Sequence, residues 1–326
     1  MAAWQYSLAA IIGRPDLKTS SPKTASAKTA SPRADIISAF LQAHGFGDAA
    51  LTLLAGDASA RRYSRLSLDG NITLLMDAAP ALEGAHCTPD MNEARRRELG
   101  YTASARLAGT NPDAFITLAG ALSRRGFSAP KILAADIAQG LIVLEDLGDS
   151  LFARILDESP EMEAEIYSAA VSALAALQRS SFGNTLSETR PHFSASWPLM
   201  DYDNLALQAE ADLFIDWYVP HFKSPLSASA RKDWHELWAE AYTLLSAHPP
   251  GLALRDFHAE NIFWLPEREG HGNIGLIDFQ DGLYAHPSYD LVSLLEDARR
   301  DVNPDLVEPL IKQFCEQSLI ADTPAF

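Results

Sequence analysis

The densest group of chemically capable side chains is Leu254-Arg255-Asp256-Phe257-His258-Ala259-Glu260-Asn261. An apolar run, 262–265, follows it. After a short turn region comes a second run, 274–277, that ends in Asp278-Phe279-Gln280-Asp281. Each carboxylate lies at a strand edge next to apolar residues, where a charge is desolvated and needs a partner, a metal or an arginine. Asp256 and Asn261 lie five apart across a loop, and a hairpin of 262–265 with 274–277 would return Asp278 to their side. One carboxylate, one amide oxygen and a second carboxylate would then converge. Oxygen ligands of that kind suit Mg²⁺, which keeps waters and takes phosphate oxygens. The remaining carboxylate can orient a hydroxyl and accept its proton, which is the arrangement phosphoryl transfer requires.

The elements that must position these groups are read from periodicity. Ile36, Ile37, Phe40 and Leu41 form a helical stripe stopped by Gly45. Short β signals follow at 51–54, 62–68 and 72–76, the last two joined by the turn Asp69-Gly70-Asn71. Residues 80–112 are rich in Pro, Gly, Asn and charge and read as an inserted excursion. A helix is expected at about 112–125, ended by Gly126, then strands at 131–135 and 141–144. Residues 48–146 therefore read as a small, mostly antiparallel sheet with one helix. From Ser150 onward the spacing is helical: Ile166, Ala170, Ala173, Leu174 and Leu177, then Leu205, Leu213 and Trp217, then Trp234, Leu237, Trp238, Tyr242 and Leu245. The only β interruption expected there is 261–265 with 274–277, and helices return at about 288–300 and 305–319. A β-rich part followed by a helical part reads as a two-lobed α+β fold. Residues 19–33, a Ser/Thr/Ala/Lys/Pro stretch, read as a solvated linker behind a short head. The expected division is 1–33 outside the fold, 34–146 a small lobe and 147–326 a helical lobe.

The pattern Asp256-x-x-x-x-Asn261 followed by Asp278-Phe279 resembles the catalytic loop and metal-binding Asp of the protein-kinase-like superfamily. The form Arg255-Asp256-Phe257-His258-x-x-Asn261 with Ile277-Asp278-Phe279-Gln280 is closer to its aminoglycoside/choline phosphotransferase branch. Five further segments sharpen the resemblance: 56–63, 75–80, 144–148, 286–291 and 294–302. Together they resemble the bacterial anomeric sugar kinases that phosphorylate N-acetylmuramate and N-acetylglucosamine in cell-wall recycling. The resemblance implies a two-lobed kinase-like fold with ATP and Mg²⁺ between the lobes. Asp256 would be the base, and Asn261 and Asp278 would hold the metal. The turn of Gly56, Asp57, Ala58 and Ser59 through Arg62 would cover the phosphates. Glu145, Asp146 and Leu147 would form the hinge that meets adenine through its backbone. Asp290 would support the catalytic loop, and His258 would be structural. No lysine lies on the strand 72–77, so Arg61 or Arg62 is expected to replace the usual phosphate-binding cation. The usual helix Glu is not assignable; Glu93 and Glu98 are candidates. Two rival readings are a kinase of aminoglycosides or amino alcohols and a nucleotide-binding regulatory module without catalysis.

Other features narrow the class. The 326 residues carry a formal net charge of −17, with 47% hydrophobic residues. That balance argues against binding nucleic acid or an anionic membrane surface, and the apolar content supports a folded core. Cys87 and Cys315 make no disulfide framework. No apolar run approaches the ~20 residues of a membrane span, and no secretory signal is evident, so a cytoplasmic protein is expected. The partners expected are ATP and a small amino sugar, with no obligate protein partner. A zinc reading of His258, His271, Asp278 and His286 lacks a supporting motif. Trp217, with Phe214 and Tyr218, could stack a sugar ring, though its helical spacing favours core packing.

Overall fold

The structure, a computed structural model, describes residues 32–54, 61–80, 84–246 and 248–318. The turn at Gly56, Asp57, Ala58 and Ser59 and most of the expected N-terminal linker lie outside the described residues. Helix α1 (Pro32–Ala43) begins two residues inside that linker. Arg33 there donates from Nε to Asp77 Oδ1 at 3.0 Å and from Nη2 to the Gln139 carbonyl at 2.8 Å. The boundary at 33 is thus corrected: an arginine anchored in the sheet belongs to the fold.

Five strands follow: β1 (Ala50–Leu53), β2 (Arg62–Leu68), β3 (Asn71–Asp77), β4 (Ile132–Asp136) and β5 (Leu141–Glu145). They form one antiparallel sheet in the order β1-β2-β3-β5-β4. Asp69 and Gly70 both take positive φ, 52° and 81°, as a tight hairpin turn between right-twisted strands demands. Side chains alternate between faces. Leu75, Leu141 and Val143 pack with Phe40 and Leu41 of α1. Leu74, Met76, Ile142 and Leu144 turn the other way and join the main core. The excursion between β3 and β4 is not a featureless loop. It contains α2 (Glu93–Leu99) and α3 (Tyr101–Ser104), and it leads into α4 (Pro112–Ser123), whose N-cap is Asn111.

The helical part starts with α5 (Phe152–Glu158) and α6 (Glu163–Arg179). Ile166, Ala170, Ala173, Leu174 and Leu177 are buried along α6, as their period requires. A hairpin, β6 (Thr185–Arg190) with β7 (Phe193–Pro198), comes next and was not expected from the sequence. Its stretch is short and polar, and only alternate residues Leu186, Glu188, Ala195 and Trp197 are buried. Helices α7 (Asn204–Leu213), α8 (Val219–Phe222) and α9 (Ala228–Leu245) flank a π-helical turn at Phe214–Tyr218. Short strands β8 (Gly251–Ala253), β9 (Ile262–Trp264), β10 (Ile274–Leu276) and β11 (Leu283–Ala285) then frame two loops. The hairpin β9–β10 pairs Ile262 with Leu276 and Trp264 with Ile274, as the sequence predicts. The pair β8–β11 is an addition. The chain continues through α10 (Tyr289–Leu295) and α11 (Pro304–Ser318), which packs along α6.

Core packing of the aromatic stripes is corrected. Phe214, Trp217, Tyr218 and Leu237 are exposed, and of α9 only Tyr242 is buried. The period identified helices, but the apolar face of α9 stacks rings of its own neighbourhood, Phe214 on Trp234 at 5.8 Å, rather than entering the core.

The β4–β5 turn gives a direct check on the sheet. Gly140 has φ +64°, and its carbonyl accepts the Ala78 N–H at 2.8 Å. A Cβ there would lie 1.9 Å from the Ala78 carbonyl oxygen. Gly140→Ala is therefore expected to cost about 2–4 kcal/mol in a denaturant titration; an unchanged midpoint would contradict this turn geometry.

Candidate active site

Two loops carry the chemistry, one between β8 and β9 and one between β10 and β11. Both contain a non-glycine residue in the left-handed region: Arg255, φ 75°, and Asp278, φ 57°. Such backbone costs about 1–3 kcal/mol and persists only where surroundings over-determine it. At Arg255 the surroundings are explicit. Asp290, at the start of α10 and buried, accepts the Leu254 N–H at 2.7 Å and the Arg255 N–H at 2.9 Å. The Arg255 guanidinium donates to the Ala105 carbonyl at 2.9 Å, pairs with Glu210 and lies 4.9 Å from the Tyr202 ring centroid. The residue before Asp256 is thereby fixed at its backbone and at its tip.

Asp256 and Asn261 are joined directly, since Asn261 Nδ2 donates to the Asp256 carbonyl at 2.9 Å and sits 3.1 Å from His258 Nε2. Asn261 is 1% exposed, and its Oδ1 has no hydrogen-bond partner among the described residues. A buried amide oxygen without a donor is costly. Asp278 accepts from Gln280 Nε2 at 2.7 Å and lies 3.8 Å from Arg61 Nη1. The hydrogen bond from Ile277 N–H to the Asn261 carbonyl, 3.2 Å, stitches the two loops together just before Asp278. Asp281, also buried, accepts the Ala108 N–H.

These carboxylates feel one another. Burial, then the charges of Asp278 and Asp281, push the Asp256 carboxyl up to about 8, against the pull of Arg255 and Arg299. Burial also raises Asp278, with Arg61 opposing. Burial raises Asp290 to about 6, and the two backbone N–H groups and Arg255 pull it back. Burial and then Arg299 push His258 down to about 4, so it is neutral at pH 7 and serves as a hydrogen-bonding partner of Asn261. Asp256 is thus largely protonated at pH 7 without a cation nearby. With the Asp278 carboxylate and the unpaired Asn261 oxygen it forms a donor set that fits a hard divalent cation, whose charge would favour the ionised carboxylates. No three His, Cys, Asp or Glu side chains converge into a metal cage among the described residues. A Mg²⁺ held by one carboxylate and one amide, with phosphate and water completing its shell, needs no such cage.

The remaining sequence candidates divide. Arg61 is buried, bonds the Gly109 carbonyl and reaches Asp278, whereas Arg62 is exposed at the start of β2. Alternation along the strand sends the two side chains to opposite faces. Glu145 is engaged by Arg268 at 2.9 Å and by the Lys131 N–H at 3.1 Å. Asp146 is engaged by Arg65 at 2.7 Å and the Gly148 N–H at 2.8 Å. Their side chains are spoken for, which leaves the backbone. Leu144 and Leu147 line a narrow apolar slot with Leu74, Pro130, Phe263 and Ile277, between the sheet and the β9–β10 hairpin. Glu93 and Glu98 pair with Arg97 and Arg95 on the exposed face of α2 and do not enter the site. Trp217, 53% exposed on the π-helical turn, makes no described contact with the other site residues. Two residues escaped sequence reasoning. Asp281, three residues past Asp278, carries no pattern of its own in the sequence. Arg299, beside Glu260 at 3.3 Å and Asp297 at 3.6 Å, acts on both Asp256 and Asp278.

The fold and this constellation define a two-lobed kinase-like phosphotransferase. Residues 50–325 match the model of the phosphotransferase enzyme family, APH, and the chain belongs to that family. A relative from Caulobacter vibrioides, the N-acetylmuramate/N-acetylglucosamine kinase, is 43% identical over 88% of this chain and 78% of its own length. The protein of the same name from Neisseria meningitidis serogroup B is 27% identical over 84% of this chain and 69% of its own. Among solved structures, the ADP-bound aminoglycoside phosphotransferase APH(2'')-Ib matches with a TM-score of 0.51 at 10% identity, covering 86% of this chain and 81% of that one. At that identity the likeness speaks for the fold alone. Among the described residues no helix is long and apolar enough to cross a membrane.

The Asp290 clamp generates a prediction. Asn at 290 would turn an amide N–H₂ toward a backbone N–H and remove the charge from both bonds. Asp290→Asn is expected to lose about 2–3 kcal/mol of stability by chemical denaturation. Stability within 0.5 kcal/mol of wild type would show that the clamp carries no such weight.

Proposed function

We propose that the chain transfers the γ-phosphoryl group of ATP to the anomeric hydroxyl of an N-acetylated amino sugar, N-acetylmuramate or N-acetylglucosamine. The observation that carries the reading is the Asp256–Asn261–Asp278 constellation within a chain 43% identical to a kinase of those sugars. The same identity favours the amino sugar over an aminoglycoside, since the aminoglycoside enzymes share only the fold. Membership of a phosphotransferase family favours catalysis over a non-catalytic module. The setting that fits these substrates is the cytoplasm, where ATP is available.

Leu74, Leu144, Leu147, Phe263 and Ile277 would form one apolar wall against the base, with the 145–147 backbone offering the polar contacts. Arg61 is placed to neutralise phosphate oxygens, taking the part of the lysine that β3 lacks. Asn261 Oδ1 and the Asp278 carboxylate would hold Mg²⁺, which supplies charge neutralisation of the transferred phosphoryl group. Asp256 orients the acceptor hydroxyl and takes its proton as the oxygen bonds to phosphorus. An anomeric hydroxyl is more acidic than an ordinary alcohol, so a single carboxylate suffices as base once a neighbouring cation holds it ionised against the burial that raises its pKa. Most of the rate then comes from alignment and from charge stabilisation, as is general for phosphoryl transfer.

The test is ADP release by purified protein offered ATP, Mg²⁺ and, in turn, N-acetylmuramate, N-acetylglucosamine, glucose and an aminoglycoside. Turnover is expected with the two N-acetylated sugars. Asp256→Ala should lower kcat about 10³-fold while ATP affinity changes little. Turnover with the aminoglycoside alone would overturn the acceptor assignment, and full activity of the variant would remove the base.

A further inference from the structure

The excursion between β3 and α4 is tied into the active site at three places by charged side chains of three different elements. Arg61, ahead of β2, bonds the Gly109 carbonyl. Arg255, next to the base, bonds the Ala105 carbonyl at 2.9 Å. Asp281, three residues past Asp278, accepts the Ala108 N–H. A surface insertion has no use for three buried charged anchors inside five residues of its own backbone, because each must be desolvated to make its bond.

The excursion is braced from within as well. Arg96 of α2 is 1% exposed. Its guanidinium donates to the Ser104 carbonyl at 2.7 Å and the Ala103 carbonyl at 3.3 Å, and it grips Asp203 with both Nη atoms. Arg106, with φ 57°, pairs with the same Asp203 at 2.8 Å and donates to the Asp201 carbonyl at 2.8 Å. These bonds fix the single helical turn Tyr101–Ser104 between α7 and the catalytic loop.

That turn begins with an aromatic residue, and Gly100 before it takes φ 100°, which lets the chain turn sharply into Tyr101. Tyr101 is 40% exposed, whereas the neighbouring rings of Tyr202 and Tyr289 are largely covered and meet edge to face at 5.3 Å. Arg255, Asp281, Tyr289 and Asp256 all act electrostatically on the Tyr101 phenol, in that order of strength. Burial of its polar end raises its pKa, so the hydroxyl stays protonated and can both donate and accept. Tyr101 is therefore an accessible ring, rigidly mounted, within the field of the base.

We propose that the segment 99–109 is the acceptor-facing wall of the active site and that Tyr101 contacts the acceptor sugar there. The ring offers an apolar face to the sugar and the phenol a hydrogen bond to one of its polar substituents. This inference rests on the kinase reading above, and it places acceptor recognition on the excursion rather than on Trp217.

The test is steady-state kinetics of the full chain, with whichever acceptor the wild type turns over, for Tyr101→Ala, Tyr101→Phe and Trp217→Ala. Tyr101→Ala is expected to raise the acceptor KM tenfold or more, with the ATP KM and the melting temperature unchanged. Tyr101→Phe should show a smaller rise, which reports the hydroxyl, and Trp217→Ala should match wild type. A Tyr101→Ala enzyme whose acceptor KM stays within twofold of wild type would overturn the proposal. So would a rise in both KM values together, which a general loosening of the cleft would produce. A wild type that turns over a different acceptor refutes the amino-sugar reading and leaves this test intact with that acceptor.

Discussion

Three carboxylates, the half-buried Asp256 and Asp278 and the buried Asp281, act on one another across two adjacent loops. Like charges brought together out of water cost several kcal/mol, and folding alone offers no return for that arrangement. Arg61 and Arg299 offset part of it, one from the sheet side and one from the segment after α10. The Asn261 amide oxygen, buried and without a donor, adds to the deficit. Every part of the candidate mechanism follows from this unbalanced site. Such a site would attract a divalent cation, and the cation would in turn favour the ionised form of Asp256 and draw in a phosphate.

The scaffold around the site explains how such a constellation holds its geometry. The Asp256 loop is not supported by β8 and β9 alone, since both strands are three residues long. Its strained step at Arg255 is held by Asp290 from α10, by Ala105 from the excursion and by Glu210 from α7. The Asp278 loop is held by Gln280 on Asp278 and by Ala108 on Asp281. Elements remote in sequence thus converge on two loops, with α10, α7 and the excursion each contributing one or two polar bonds. The excursion matters doubly, because it also receives Arg61 from the sheet. It therefore links the sheet to both loops.

Much of this was legible in the sequence. The strands β2, β3 and β5, the hairpin β9–β10 and the helix α6 all carry strong periodic signals bounded by turn residues, and they appear where those signals put them. The hairpin β6–β7 was not legible, because its residues are short and polar and its pairing depends on packing against α4. The aromatic stripes of α9 showed the right period yet face outward, since amphipathicity names a face but not what covers it. At the site, residue types and spacing singled out Asp256, Asn261 and Asp278. They could not separate Arg61 from Arg62, because strand alternation decides that only once the register is known. Neither could they show that Asp281 and Ala108 meet, or that Arg96 and Asp203 do, for those bonds join residues about a hundred or more positions apart.

The central claim is that Asn261 and Asp278 complete a cation site that brings in the nucleotide. The most direct measurement is a calorimetric titration of the full chain with ATP, run once with Mg²⁺ and once with EDTA, on wild type and on Asp278→Asn. The account predicts that Mg²⁺ tightens ATP binding to the wild type at least tenfold and that the variant loses most of this gain. Equal affinities with and without Mg²⁺, or a gain that survives intact in Asp278→Asn, would contradict it.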